Sequence, residues 1–330
     1  IKGVGENAVM QVIEEREKNG PYRDIYDFVS RVNLNTLNRK NIEAMALAGA
    51  FDCFPEISRE QYFAADAKGT TFIEHLIRFG NNIKTIKNSS KNTLFGEDNG
   101  FSMKKPEPPS CDEWPKLEKL NREKEVIGFY LSSHPLDDFR LEIETFTNTT
   151  LEELRNNMQE FIERDVAVAG MVTETRNGIS KNNKPYASFT LQDYTDSFRF
   201  VLFDKDCVEF SKYLVNGYFL LVKGKVQRRK YAENELDFRV KSITLLSSVK
   251  DELIKSVTIK VKAPDVDNEL INQLTKMIKA NPGETELRFL FIDPESKISL
   301  PMFSRTIKVR LNNDFITFLE DHPALDFKVN

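Results

Sequence analysis

The sequence predicts a multidomain protein: an all-α block first, then a five-stranded β-barrel, then a small α+β domain. Three observations carry this. Apolar residues such as Val9, Val12 and Ile13 recur at helical spacing in the first part, whereas Asp165 to about Leu246 alternates apolar and polar residues. A polar, proline-bearing stretch from "NNIKTIKNSSKNTLFGEDNG" to "KKPEPPS" separates two apolar regions. The chain has 330 residues, of which 40% are hydrophobic and 30% charged, enough for two or three ordinary cores.

Residues 1–81 read as helical. After the first run, "PYRDIYDFVSRV" starts a second helix behind Pro21, "NRKNIEAMALAGAF" gives a third, and one or two amphipathic helices follow Ser58. Residues 82–112 are the expected flexible linker. Residues 113–164 connect it to the barrel, and "WPKLEKLNREKEVIGFYLSSHPLDDF" should form a helix of four to six turns ended by His134-Pro135. Residues 165–248 contain five strand-like runs, "VAVAGMVTETR", "YASFTLQD", "SFRFVLF", "YFLLVKGKVQRR" and "LDFRVKSITLL", with "CVEFSKYLV" as a short helix between the third and fourth. That layout is the OB-fold, a small barrel that commonly binds single strands. Residues 249–330 read as strand, helix, two strands and a short terminal helix, the first helix stopped by Pro282-Gly283.

Composition excludes several classes. The formal net charge is −4, and no apolar run reaches the roughly 18 residues of a membrane span. No secretory leader is evident, so a cytoplasmic protein without a membrane partner is expected. Cys53, Cys111 and Cys207 are odd in number and widely spaced, which fits neither a disulfide framework nor a zinc site. His75, His134 and His322 are isolated, and neither a P-loop nor a GxGxxG is present, so no catalytic group is assigned. The start at Ile1, with structure already under way, reads as a fragment of a longer protein. Asp265 and Asp267 precede a helix directly and read as caps rather than metal ligands.

Three stretches are candidate binding sites. The opening "IKGVGENAV" sets Gly3 and Gly5 before a helix; alone this is a turn, or a turn whose amides face an anion. "KNTLFGED" places Leu94 and Phe95 in a polar linker, where an apolar pair has little role unless it docks on another protein. The turn "RNGISKNNKPY" carries Arg176, Lys181 and Lys184, and "KGKVQRRKY" carries Lys223, Lys225, Arg228, Arg229 and Lys230. Between Asp165 and Ser248, thirteen basic residues face ten acidic ones, so positive charge is segregated here within an acidic chain. Tyr186 and Phe198 are candidate stacking platforms for bases.

Several of these stretches together resemble one family. "LNREKEVIGFYLSSHPLDDF", the OB-fold behind it and a Gly-Val-Gly block ending "NIEAMALAGAFD" are similar to the C-terminal part of the bacterial replicative DNA polymerase III alpha subunit. The resemblance runs over essentially the whole chain and is strongest from Lys116 to Phe139. It implies that the parent is a DNA-directed DNA polymerase, a nucleotidyltransferase whose palm aspartates and Mg lie outside this sequence. The fragment is then expected to be inactive alone and to need no cofactor. Ile1–Gly5 becomes the hairpin of a helix-hairpin-helix motif, with Lys2, Gly3, Gly5 and Asn7 contacting double-stranded DNA. The block from Arg39 to Ala50 becomes a degenerate second copy. "KNTLFGED" becomes the peptide that binds the beta sliding clamp, with Leu94 and Phe95 as anchors and Lys91 where the family usually has glutamine. The OB-fold would guide single-stranded template, and the last domain would bind the clamp-loader tau subunit. Two other classes stay open: a protein scaffold that binds no DNA, and an OB-fold accessory subunit of another nucleic-acid enzyme.

Overall fold

Short polar side chains set the starts of the second and third helices. A computed structural model describes residues 1–92, 104–180, 183–229, 232–296 and 298–330. These fall into two compact units, Ile1–His134 and Pro135–Asn330. No helix among the described residues is long and apolar enough to cross a membrane.

The first unit carries α1 (Glu6–Asn19), α2 (Ile25–Arg31), α3 (Arg39–Leu47), α4 (Arg59–Phe63), α5 (Phe72–Asn92) and α6 (Lys116–Ile127). Asp24 caps α2 by accepting from the Asp27 amide at 2.6 Å, and Asn38 and Asn41 form a reciprocal capping box on α3. The apolar faces of α1–α5 share one core, with Ile25, Phe28, Val29, Ile42, Tyr62, Phe72 and Leu76 buried in it. The expected linker differs from what is observed at both described ends. Residues 82–92 continue α5. Residues 104–114 run along the helices: Tyr26 Oη donates to the Pro106 carbonyl (2.7 Å) and Gln61 Nε2 to the Pro109 carbonyl (3.2 Å). The long helix expected up to His134 is also shorter. It ends at Gly128, whose φ of 106° is left-handed and breaks the helical hydrogen-bond ladder.

The second unit begins with α7 (Arg140–Phe146) and α8 (Leu151–Asn156), then β1 (Asp165–Ile179), β2 (Pro185–Gln192), β3 (Ser197–Phe203), α9 (Asp204–Phe210), β4 (Phe219–Arg229), β5 (Ala232–Leu245) and α10 (Leu246–Leu253). The strands form an antiparallel sheet in the order β3-β2-β1-β4-β5, the five strands with an intervening helix expected of an OB-fold. Among the described residues the sheet is not closed by a β3–β5 ladder. β1 is shared: its first half pairs with β4 and its second half with β2, with a register shift between Val172 and Glu174. One face of the sheet curls around Val166, Val168, Phe189, Leu191, Phe200, Leu202 and Val222, all buried.

The same unit ends with β6 (Ser256–Lys262), α11 (Asn268–Ala280), β7 (Pro282–Asp293), β8 (Ile298–Val309), α12 (Asn313–Asp321) and β9 (Leu325–Val329). β6 and β7 are parallel, joined through α11, in a sheet ordered β8-β7-β6-β9. Val257, Ile259 and Val261 alternate inward against Leu270, Leu274, Phe315 and Leu319. This is the α+β domain expected, with the further strand β9 pairing antiparallel to β6. Asp267 caps α11, accepting from the Leu270 amide at 2.7 Å.

Candidate nucleic-acid interface

At the start of α1 the backbone is held from beneath and open above. Gly3 adopts φ +81°, a conformation that favours glycine, and Gly5 is the N-cap residue with no side chain to satisfy the first amides. A Cβ at either position would meet nothing within 4 Å, so both face free space. Asn41 Nδ2 donates to the Gly3 carbonyl at 2.6 Å, and the Lys2 amide donates to the Val126 carbonyl at 2.6 Å. Among the described residues no hydrogen bond engages the N–H groups of Gly5, Glu6 and Asn7. The macrodipole and three outward amides make this end of a 14-residue helix attractive to a phosphate. Glu6 in the first turn competes for the same field. At the start of α3, where a degenerate second copy was expected, Arg39 is already committed to Glu43 and Glu74.

The support under this turn traces back to a buried carboxylate. Glu123 on α6 is fully buried, and it accepts from the Leu131 and Ser132 amides (2.7 Å each), from Ser132 Oγ and from Arg59 Nη1 (3.0 Å). Arg59 is itself bound through Nε to Asp52 at 2.9 Å. Burial would raise the Glu123 pKa, but the bonds from Ser132, Arg59 and Leu131 outweigh it and hold it below the usual carboxylate range. Charge and hydrogen bonding thus fix α6 and the chain after it, the stretch "REKEVIGFYLSS".

On the OB sheet, strand alternation sorts the candidates. Phe198, Phe200 and Leu202 share the inward face; Phe198 packs on the core, its ring 4.8 Å from that of Phe200. It is therefore not a stacking platform, because it is in phase with residues the core requires. Tyr186 faces outward and is paired across the ladder with Phe203, their centroids 6.4 Å apart. Phe203 is 54% exposed. The same outward rows bring Arg176 opposite Ser188 and Arg199 opposite Thr190, with Arg199 Nη2 donating to Ser188 Oγ at 2.9 Å. Neither Phe203 nor Arg199 was singled out from the sequence, although both fall in the phase opposite to Phe198, Phe200 and Leu202, which alternation sets on the outward face. Two expected cations carry internal partners: Arg176 pairs with Glu174 at 2.6 Å, and Lys184 pairs with Asp204. Exposed pairs of this kind are worth about 0–1 kcal/mol, so a phosphate can displace them.

The cations of β4 divide differently from the expectation of one groove. Lys223 and Lys225 lie opposite Ala167 and Asp165 on the first half of β1, away from Tyr186, and Arg228 is exposed near the end of β4. The Arg229 side chain and all of Lys181 and Lys230 lie outside the described residues, as do Leu94 and Phe95. Lys91 falls in the last turn of α5, its side chain likewise outside them.

Comparison with known proteins follows this geometry closely. Residues 1–62 match the helix-hairpin-helix motif, residues 166–246 the OB-fold nucleic acid binding domain, and residues 257–330 the C-terminal domain of the DNA polymerase III alpha subunit. The chain is 26% identical over 313 residues to the DNA polymerase III subunit alpha of Saccharopolyspora erythraea, covering 92% of this chain and 25% of that protein. Over about nine-tenths of its length the chain is similar to DNA polymerase III alpha subunits. The Bacillus subtilis subunit is 27% identical over 91% of the chain, and the Escherichia coli K12 subunit 23% over 86%. The chain spans about a quarter of the length of these alpha subunits. Among solved structures, the mitochondrial single-stranded DNA binding protein Rim1 of S. cerevisiae matches 25% of this chain and 92% of its own, at 19% identity and a TM-score of 0.21.

Proposed function

We propose that this chain is a DNA-holding, partner-docking portion of a replicative polymerase and performs no nucleotide transfer itself. In this reading the start of α1 seats a phosphate of the duplex, and the outward face of β1–β2–β3 guides single-stranded template. The observation that carries the reading is the outward pair of half-buried Tyr186 and exposed Phe203, with Arg176 and Arg199 on the same outward rows: aromatic faces for bases beside cations for the backbone. The peptide containing Lys91, Leu94 and Phe95 docks on the sliding clamp. The last domain, whose edge strand β8 exposes Ile298, Leu300 and Phe303, docks the tau subunit. The setting is the bacterial cytoplasm.

The test is binding of the chain to labelled single strands and to primer-template across a salt series. Affinity should fall linearly with salt on logarithmic axes, as phosphate contacts require, and Tyr186→Ala with Phe203→Ala should weaken single-strand binding. Salt-independent binding, or an unaffected double variant, would sink the strand-guiding reading. Primer extension by the purified chain would sink the non-catalytic one.

A further inference from the structure

The first half of β1, with β4 and β5, presents a second basic surface on the OB sheet. Cross-strand register sets Lys225 between Asp165 and Arg239, and Lys223 between Ala167 and Ser242. The β4–β5 register shifts between Lys223 and Gly224, leaving Lys241 as the extra residue of a bulge. The bulge turns Lys241 onto this outer face, where its Nζ reaches Asp165 Oδ1 at 2.6 Å across β4. Four cations therefore share one face with two carboxylates, Asp165 and Asp237.

Beside them lies a built cleft of about 410 Å³, walled by Lys223, Lys241, Asn148 and Phe146. Asn148 closes the free edge of β1: its Nδ2 donates to the Asp165 carbonyl (2.8 Å) and its Oδ1 accepts from the Ala167 amide (2.9 Å). The Lys223 ammonium lies 5.8 Å from the centre of the Phe146 ring. From Ala167 to Arg176 the strand runs roughly 30 Å at about 3.3 Å per residue, so this surface is separate from the Tyr186–Phe203 face.

We infer that this second face grips the phosphodiester backbone of the same single strand further along its length, so that the OB sheet holds a strand at two stations. The charge selects a polyanion, and the spacing selects a ligand long enough to span both halves of β1. The inference rests on the proposed strand-guiding role of the β2–β3 face.

The test compares the wild-type chain, Lys225→Glu with Arg239→Glu, and Tyr186→Ala with Phe203→Ala, each against oligonucleotides of about 8 and about 30 nucleotides, the shorter being within the site size of one OB-fold. The charge-reversed variant should bind the short strand as wild type does and the long strand about tenfold or more weaker. Its salt slope on the long strand should be shallower by about 1.4, from about 0.7 per lost contact. An unchanged long-strand affinity, an equal loss on both lengths, or no long-strand binding by wild type would overturn the second station. Failure of the β2–β3 reading shows separately, as wild-type binding of the short strand by the aromatic variant.

Discussion

The ring of Tyr186 occupies the space that a side chain at Gly178 would fill: a Cβ there would lie 2.7 Å from Tyr186 Cε1. The two residues are ladder partners on β1 and β2. Gly178 thus lets the ring lie down over the strand, leaving it oriented toward Phe203. Gly178→Ala should tilt the ring out of this pose and weaken single-strand binding by no more than one base stack, on the order of 1–3 kcal/mol. In a double-mutant cycle read by fluorescence anisotropy, Gly178→Ala should add nothing once Tyr186 is alanine; additive losses would show that the ring does not act through this pose.

Glu123 should be the most costly polar side chain of the first unit to remove. Glu123→Ala strands the buried Arg59 charge and frees the Leu131 and Ser132 amides, so a loss of about 3–5 kcal/mol is expected in denaturant unfolding. Because the folded carboxyl titrates below its ordinary value, its contribution is complete above the unfolded pKa of about 4.3 and disappears as pH falls through the folded one. The gap between wild type and Glu123→Gln should narrow across that acid window. A gap independent of pH would contradict the assignment.

Asn41→Ala removes the donor to the Gly3 carbonyl as well as half of the α3 capping box. The stability cost should be about 1–2 kcal/mol. Binding to duplex DNA should weaken severalfold while binding to single strands is unchanged. Equal losses on both ligands would point to general destabilisation and remove the α1 turn from the duplex site.

Leu94→Ala with Phe95→Ala should abolish co-elution with the cognate sliding clamp, since burial of each anchor is worth about 1.5–3 kcal/mol. Lys91→Gln should strengthen it by restoring an amide. Retention of the clamp by the double alanine variant would refute the peptide assignment.

Local features of the fold were legible in the sequence because local chemistry causes them. The five alternating runs, the cap at Asp267 and the turn at Gly3 each follow from a few adjacent residues. Gly128 is a local stop signal, yet apolar residues at helical spacing continue past it to Leu131, so spacing alone carries the helix too far. Phe198 and Phe203 lie an odd number of residues apart and so on opposite faces of β3, and which of the two faces is the core is settled by packing rather than by the strand's own sequence. Asn41 beneath Gly3 and Glu123 against Arg59 were out of reach: they join positions 38 and 64 residues apart, and nothing in either local stretch names its partner. Lys241 belongs to the same class, since its direction depends on a bulge that only strand pairing reveals.

The Arg59–Glu123 bond also has a bearing on how this region can change. It ties α4 to α6 across the segment between Asn92 and Lys104, while Tyr26 and Gln61 fasten the chain on its return. Severing the backbone inside that segment would leave two pieces still clasped by the buried Arg59–Glu123 pair and by the bonds of Tyr26 and Gln61. The described helices therefore keep their mutual contacts without relying on a covalent path through residues 93–103.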